Sequence, residues 1–218
     1  MTSVEALSEF LEVCVHQILW ARKLYPEVLF QQRSKYGTSV WQAVHPAVGS
    51  YVSQVLSNAR AVFASGPPSR LIISINGPAP QLHLLETFSI SCSLRHFVGG
   101  ANMHWADDLE AEMRAVLLKI FLEGHRLSPL PQDSSFALCL ATQECETEKE
   151  RTALDAALRS RNWVADNNTE RLDAAAGGGS VSVVTQFVRT AFVDNLCLTV
   201  STFPPSPSHQ HQQQHFHR

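Results

Sequence analysis

Residues 9–37, EFLEVCVHQILWARKLYPEVLFQQRSKYG, with VHPAV close behind at 44–48, decide how this chain is read. Leu7, Phe10, Leu11, Cys14, Val15, Ile18 and Leu19 recur at spacings of three and four, an apolar stripe along one helix. Thr2 and Glu5 have the spacing of a capping box at its start. Pro26 biases Tyr25 away from helical dihedrals and marks the stop. A short basic loop with Arg33 and Lys35 follows. A second helix then opens at His45-Pro46, where the missing amide proton of proline costs nothing.

Downstream, Tyr51, Val52, Val55, Leu56, Ala59, Val62 and Phe63 continue the stripe of the second helix as far as Ser65-Gly66-Pro67-Pro68. A third helix is expected from Asp107, a cap paired with Glu110. It carries Leu109, Met113, Val116, Leu117, Ile120 and Phe121 to a stop at Gly124. Leu71 to Ile75 is a short buried strand, ended by the turn residues Asn76-Gly77-Pro78. Phe88, Ile90, Cys92 and Leu94 then alternate with Thr87, Ser89, Ser91 and Ser93, the pattern of a half-buried strand. Phe136 to Ala141 reads as a third strand. Beyond it come a polar helix-like segment over Glu144 to Arg161, the run Gly177-Gly178-Gly179, and two further strands, Val181 to Val188 and Phe192 to Thr202. Helices and strands in this order imply an α+β fold with a mixed or antiparallel sheet. The stretch PPSPSHQHQQQHFHR, 204–218, is low-complexity and expected to be disordered. Its His209, His211, His215 and His217 could bind a transition metal, but a solvated polar tail is the plainer account.

At 218 residues the chain fits one domain with a substantial core. A net charge of −3 argues against a protein built to grip phosphate backbone, so no direct nucleic-acid role is expected. Five scattered cysteines read as reduced thiols, with Cys14 and Cys92 as small core hydrophobes. The N-terminus lacks a signal-peptide pattern and no run has the apolar length of a membrane span, so nuclear or cytoplasmic residence is expected.

Chemistry is sparse. Asp107, Asp108, Glu110 and Glu112 lie in the opening turns of a helix, where acidic residues already have a dipole rationale. His96 and His104 have no ligand partners at zinc spacing. No strand–nucleophile–helix elbow and no phosphate-cradling glycine loop occurs. The expectation is a protein without catalytic residues, metal or cofactor.

Glu9-Phe-Leu-Glu-Val13, Tyr25-Pro26, Phe30-Gln31, Lys35-Tyr36, His45-Pro46 with Tyr51, the run Arg114 to Ile120, and Trp163-Val-Ala-Asp166 occur in order. Together they resemble the HORMA-domain family, and within it the branch that serves DNA polymerase zeta. The resemblance covers most of the chain and weakens toward the C-terminus. It implies three helices packed on a mainly antiparallel sheet over residues 1–203. Residues 162–203 would form a C-terminal safety belt hinged at the three glycines, which permit dihedrals other residues resist.

By the same resemblance the protein is an adaptor in DNA damage tolerance. It would hold a proline-containing peptide of the polymerase-zeta catalytic subunit, lined by Tyr51, Trp163, Val164 and Ala165. The ordinary account of Tyr51 is a half-buried helix residue. Arg114, flanked by Lys119, matches a HORMA–HORMA interface in homo- or heterodimers; an i,i+4 pair with Glu110 is the ordinary account of that arginine. The deoxycytidyl-transferase translesion polymerase docks on the last strands of such subunits. Cys197 and Thr199 stand there in this chain and do not keep the family's pattern. Capture of a closure motif from a mitotic or meiotic regulator is the rival reading.

Overall fold

A computed structural model describes residues 3–65, 69–80, 83–92, 105–142, 147–159, 184–188 and 196–202. Helix α1, Ser3–Ala21, is the axle of the fold. All seven residues of its apolar stripe are buried. Ser8, His16 and Gln17 are buried as well, so a second face of α1 is also covered. The cover is a β-hairpin, and here the structure departs from the expected basic loop. β1 (Phe30–Lys35) and β2 (Thr38–Ala43) pair antiparallel. Tyr36 and Gly37 form their two-residue turn with φ of 51° and 64°. Two positive dihedrals in succession match the right-handed strand twist of a tight hairpin. The backbone amide of Trp41 donates to Gln17 Oε1 at 3.1 Å and ties the hairpin to α1.

Helix α1 also stops earlier than Tyr25-Pro26 suggests. Lys23 adopts a left-handed φ of 51°. The amide of Lys23 donates to the carbonyl of Trp20, and that of Leu24 to Leu19. This is a Schellman closure with lysine where glycine is usual. Pro26 sits beyond it, at the entrance to a single 3-10 turn, Glu27–Leu29.

Helix α2, Pro46–Ala64, begins at the expected proline. Helix α3, Trp105–Arg126, runs through Gly124 rather than ending there. A Cβ on Gly124 would lie 2.7 Å from the Cβ of Ala21, so glycine allows α1 and α3 to touch. Helix α4, Glu148–Arg159, is the polar segment expected after the third strand; its Leu154 and Ala157 pack on Val62 of α2.

The main sheet contains β3 (Ser69–Asn76), β4 (Leu84–Cys92), β5 (Ser135–Thr142), β6 (Val184–Val188) and β7 (Leu196–Thr202). Their order is β5-β3-β4-β7-β6, with every pairing antiparallel. Ile73 stands opposite Phe88 on one side and Leu138 on the other. These residues join the stripes of α1, α2 and α3 in one core. The sheet's described edges are therefore β5 and β6, far apart in space and supplied by different parts of the chain.

Candidate functional site

Three features of the fold bear on a site: the junction around Arg22, which fixes the frame, and the outer face of α3 and the edge of β5, which can meet another molecule. In sequence, Arg22-Lys23 and Arg33 with Lys35 read as a modest basic patch on a solvated face, and Arg22 does not follow that reading. It is instead 5% exposed. Its Nε and Nη2 donate to the two carboxylate oxygens of Glu86 on β4, each at 2.7 Å. Its Nη1 donates to the Gly124 carbonyl at 2.6 Å, and Nη2 also donates to the Ser128 carbonyl at 2.6 Å. A fork-to-fork arginine–carboxylate pair is the strong geometry for such a contact. The guanidinium also lies where the α3 dipole is negative. This junction has no spare donor geometry to offer a partner; it locks α1, α3 and β4 together.

On α3, Arg114 is half-exposed, and its Nε donates to the Tyr36 carbonyl at 2.9 Å. Its Nη2 lies 3.7 Å from Glu110. The expected helical pair is present, but the stronger contact is to the hairpin turn. Lys119, partly buried, is five residues on and so about 140° around the helix. The two expected interface residues do not share a face. Arg114 shares its face with Leu118, Phe121 and His125, with Leu122 beside them. Leu118, Phe121 and Leu122 are 49%, 38% and 58% exposed. Phe121 stacks on Trp20 at 5.8 Å, and Trp20 on Trp41 at 4.7 Å, so the apolar stripe continues onto the hairpin.

The edge of β5 brings together Tyr51, a residue expected from the sequence, and two it did not single out for this role. Strand β5 pairs with β3 on one side and with no described strand on the other. The Leu138 amide turns outward and donates to the Tyr51 hydroxyl at 3.2 Å. In an antiparallel strand outward backbone groups recur at every second residue. Phe136, Leu140 and Thr142 therefore direct their N–H and C=O groups the same way. The Tyr51 ring meets Phe136 edge-on at 5.5 Å, and Tyr25 meets Phe136 at 6.3 Å. Burial raises the Tyr25 hydroxyl's pKa and keeps it protonated. Val28 and Val44, beside this region through the Val44 amide to Leu29 carbonyl bond, are 82% and 50% exposed.

Trp163, Val164 and Ala165, the Gly177–Gly179 hinge and the 204–218 tail lie outside the described residues. So do the expected capping threonine and the histidines at 96 and 104. Cys197 and Thr199 fall on β7, in register with Ser91 and Ser89 of β4. Among the described residues no group of three His, Cys, Asp or Glu side chains could hold a metal ion, and no helix is long and apolar enough to cross a membrane.

Three layered helices on an antiparallel sheet, an outer hairpin over α1, and a C-terminal pair of strands added beside β4 define the HORMA class of fold. The chain aligns with a chain of the mitotic checkpoint complex with a TM-score of 0.66 at 18% identity, over 94% of this chain and 100% of that one. It aligns with Caenorhabditis elegans HTP-2 bound to a HIM-3 closure motif with a TM-score of 0.58 at 11% identity, over 91% and 88%. No protein-family model matches. By sequence, the chain is 27% identical to zebrafish (Danio rerio) mitotic spindle assembly checkpoint protein MAD2B over 66% of this chain and 67% of that protein. It is 38% identical to the DNA polymerase zeta processivity subunit of Schizosaccharomyces pombe over 33% and 34%. The chain has the HORMA fold, and by sequence it is similar to MAD2B and to the processivity subunit of polymerase zeta.

Proposed function

We propose that this chain is a non-catalytic adaptor that captures an extended, proline-containing peptide along the outer edge of β5. The observation that carries this reading is the edge itself, with outward backbone groups spaced along β5 and the rings of Tyr25, Phe136 and Tyr51 beside them. A peptide laid on such an edge gains main-chain hydrogen bonds for affinity and side-chain pockets for selectivity. Aromatic faces suit proline rings, and Tyr51 and Trp163 would supply them, with Val164 and Ala165 beside them in the pocket. Residues 162–203 would close over the bound segment as a belt, so affinity would reside mostly in slow release.

The names of the similar proteins support a polymerase partner. In this proposal the contact is with the catalytic subunit of polymerase zeta, and the adaptor acts in the nucleus in DNA damage tolerance. The exposed stripe Leu118, Phe121 and Leu122 beside Arg114 suits a second HORMA domain. Docking of the deoxycytidyl-transferase polymerase near Cys197 and Thr199 would need contacts other than the family's. The checkpoint name of MAD2B and the closure motif bound by HTP-2 favour the rival, capture of a mitotic or meiotic regulator.

Affinity purification of the tagged protein from its own cells, with wild type and Trp163→Ala compared by mass spectrometry, separates these readings. The polymerase-zeta catalytic subunit should co-purify with wild type and drop out with the variant. Recovery of a spindle or chromosome-axis protein instead would move the adaptor to the rival pathway.

A further inference from the structure

We propose that the Tyr51 hydroxyl is a gate on the β5 edge, a replaceable hydrogen-bond partner that holds the edge shut until an incoming strand displaces it. The inference rests on the peptide-capture reading. Its starting point is a contact from α2 to the sheet edge: the phenol oxygen accepts from the Leu138 amide, in the middle of Ser135–Thr142. An exposed strand edge is a template for any passing strand, including that of a second copy, and folded proteins blunt such edges. Here the blunting agent is one hydroxyl on a side chain that is 38% exposed and can swing away without opening the core.

The geometry suits exchange rather than permanence. At 3.2 Å the bond lies at the long end of the ordinary range, and both partners are neutral. A peptide carbonyl arriving opposite Leu138 offers the same amide an equal or better acceptor. The edge-on contact with Phe136 gives the ring its resting place along the strand, and that contact does not depend on the hydroxyl. Loss of the hydroxyl alone therefore unlocks the edge while the ring remains as a wall for the peptide. Selectivity follows. A segment whose register places a carbonyl opposite Leu138 opens the gate, and one that pairs only near Leu140 and Thr142 leaves it closed.

Tyr51→Phe removes the hydroxyl and keeps the ring. The first measurement is amide hydrogen exchange in the free protein. The Leu138 amide should exchange several-fold faster in the variant, with Phe136 and Leu140, which point the same way, as internal controls. The second uses a fluorescent synthetic peptide carrying the proline-containing segment of the same organism's polymerase-zeta catalytic subunit. Its association rate should rise about five-fold in Tyr51→Phe, the scale of one neutral hydrogen bond. Tyr51→Ala should weaken retention instead, because the wall is gone. Unchanged exchange at Leu138 would overturn the gate whatever the peptide does. Faster exchange with an unchanged or slower association rate would show a hydroxyl that caps the edge without gating it, and would also overturn the proposal. Failure of both proteins to bind the peptide, with Leu138 exchange accelerated as expected, would overturn the capture reading and the gate's purpose with it, while leaving the cap itself established.

Discussion

At the Arg22 junction, four carbonyl and carboxylate oxygens within 2.7 Å close on one buried guanidinium, whereas on the β5 edge a single phenol oxygen stands 3.2 Å from one amide. The first arrangement joins α1, α3 and β4, elements that must keep their places if the sheet is to present an edge at all. The second lies on the side of β5 with which no described strand pairs. A buried charge that loses its partner is left uncompensated in a medium that solvates it poorly, so the junction cannot open part-way. A neutral donor at a half-exposed edge can pass from one acceptor to another at little cost. The two regions show how one fold separates permanence from exchange by the charge and burial of its polar contacts.

The largest expected effect breaks the permanent side. Arg22→Met strands the buried Glu86 carboxylate and takes the donor from the carbonyls of Gly124 and Ser128. Removal of one member of a buried pair costs on the order of 3–5 kcal/mol, so urea unfolding should show a loss of that size or no folded protein at all. The double variant Arg22→Met, Glu86→Leu should recover part of the loss, because no lone charge remains. If the single variant is as stable as wild type, the junction is ornamental and the contrast with the β5 edge fails.

His16 sharpens the comparison within the frame. Like Arg22 it is buried, but among the described residues its Nε2 has no hydrogen-bond partner. Burial lowers its pKa from 6.5 to about 4, so it stays neutral where Arg22 stays charged. Between those two values the unfolded chain takes up a proton that the folded chain refuses. Stability should therefore be full above about pH 6.5 and fall as the pH drops toward 4, by at most on the order of 3 kcal/mol. Glu12, whose pKa is raised by burial and then by Glu9, works in the opposite sense at the acid end. Urea unfolding at pH 7.5 and pH 4.5 should show a smaller difference in His16→Leu than in wild type. An equal difference in both proteins would assign the acid sensitivity elsewhere.

These contacts also explain which parts of the molecule are legible in sequence. The stripe of α1 and the alternation around Phe88 and Ile90 are local periodicities, and the structure keeps them. The hairpin escapes such a reading because β1, Phe-Gln-Gln-Arg-Ser-Lys, is exposed beyond its first residue and has no apolar alternation. Its signal is confined to Tyr36-Gly37. The end of α1 is obscured because lysine takes a place where glycine would announce a C-cap. Arg22 and Glu86 are 64 residues apart, and no local pattern pairs them. The β5 edge is hidden for a different reason. Phe136 to Ala141 reads as a third strand, and only the strand order reveals that no described strand pairs with one of its sides. Tyr51 could be singled out through a family resemblance, but its contact with Leu138 could not.

The smallest effect concerns Gly37, where the hairpin meets α3. Its φ of +64° is left-handed, a conformation that costs a residue with a Cβ roughly 1–2 kcal/mol. In Gly37→Ala the new methyl carbon would also lie 2.7 Å from Arg114 Nη2. That atom ends a flexible side chain, so the arginine can yield, and the backbone strain should dominate. The expected loss is about 1 kcal/mol by urea unfolding, with Gly37→Asn closer to wild type because asparagine tolerates the left-handed region. Arg114→Ala separates the two contributions. If the arginine only accommodates the glycine, its removal adds a similar loss in both backgrounds, since the bond from Arg114 Nε to the Tyr36 carbonyl is independent of the methyl group. If Gly37→Ala already displaces Arg114 from that carbonyl, the second loss shrinks and a double-mutant cycle reads the difference as coupling. A large coupling would move this turn to the permanent side of the comparison, with Arg114 as its clamp; a small one leaves that side chain available on the exposed face of α3.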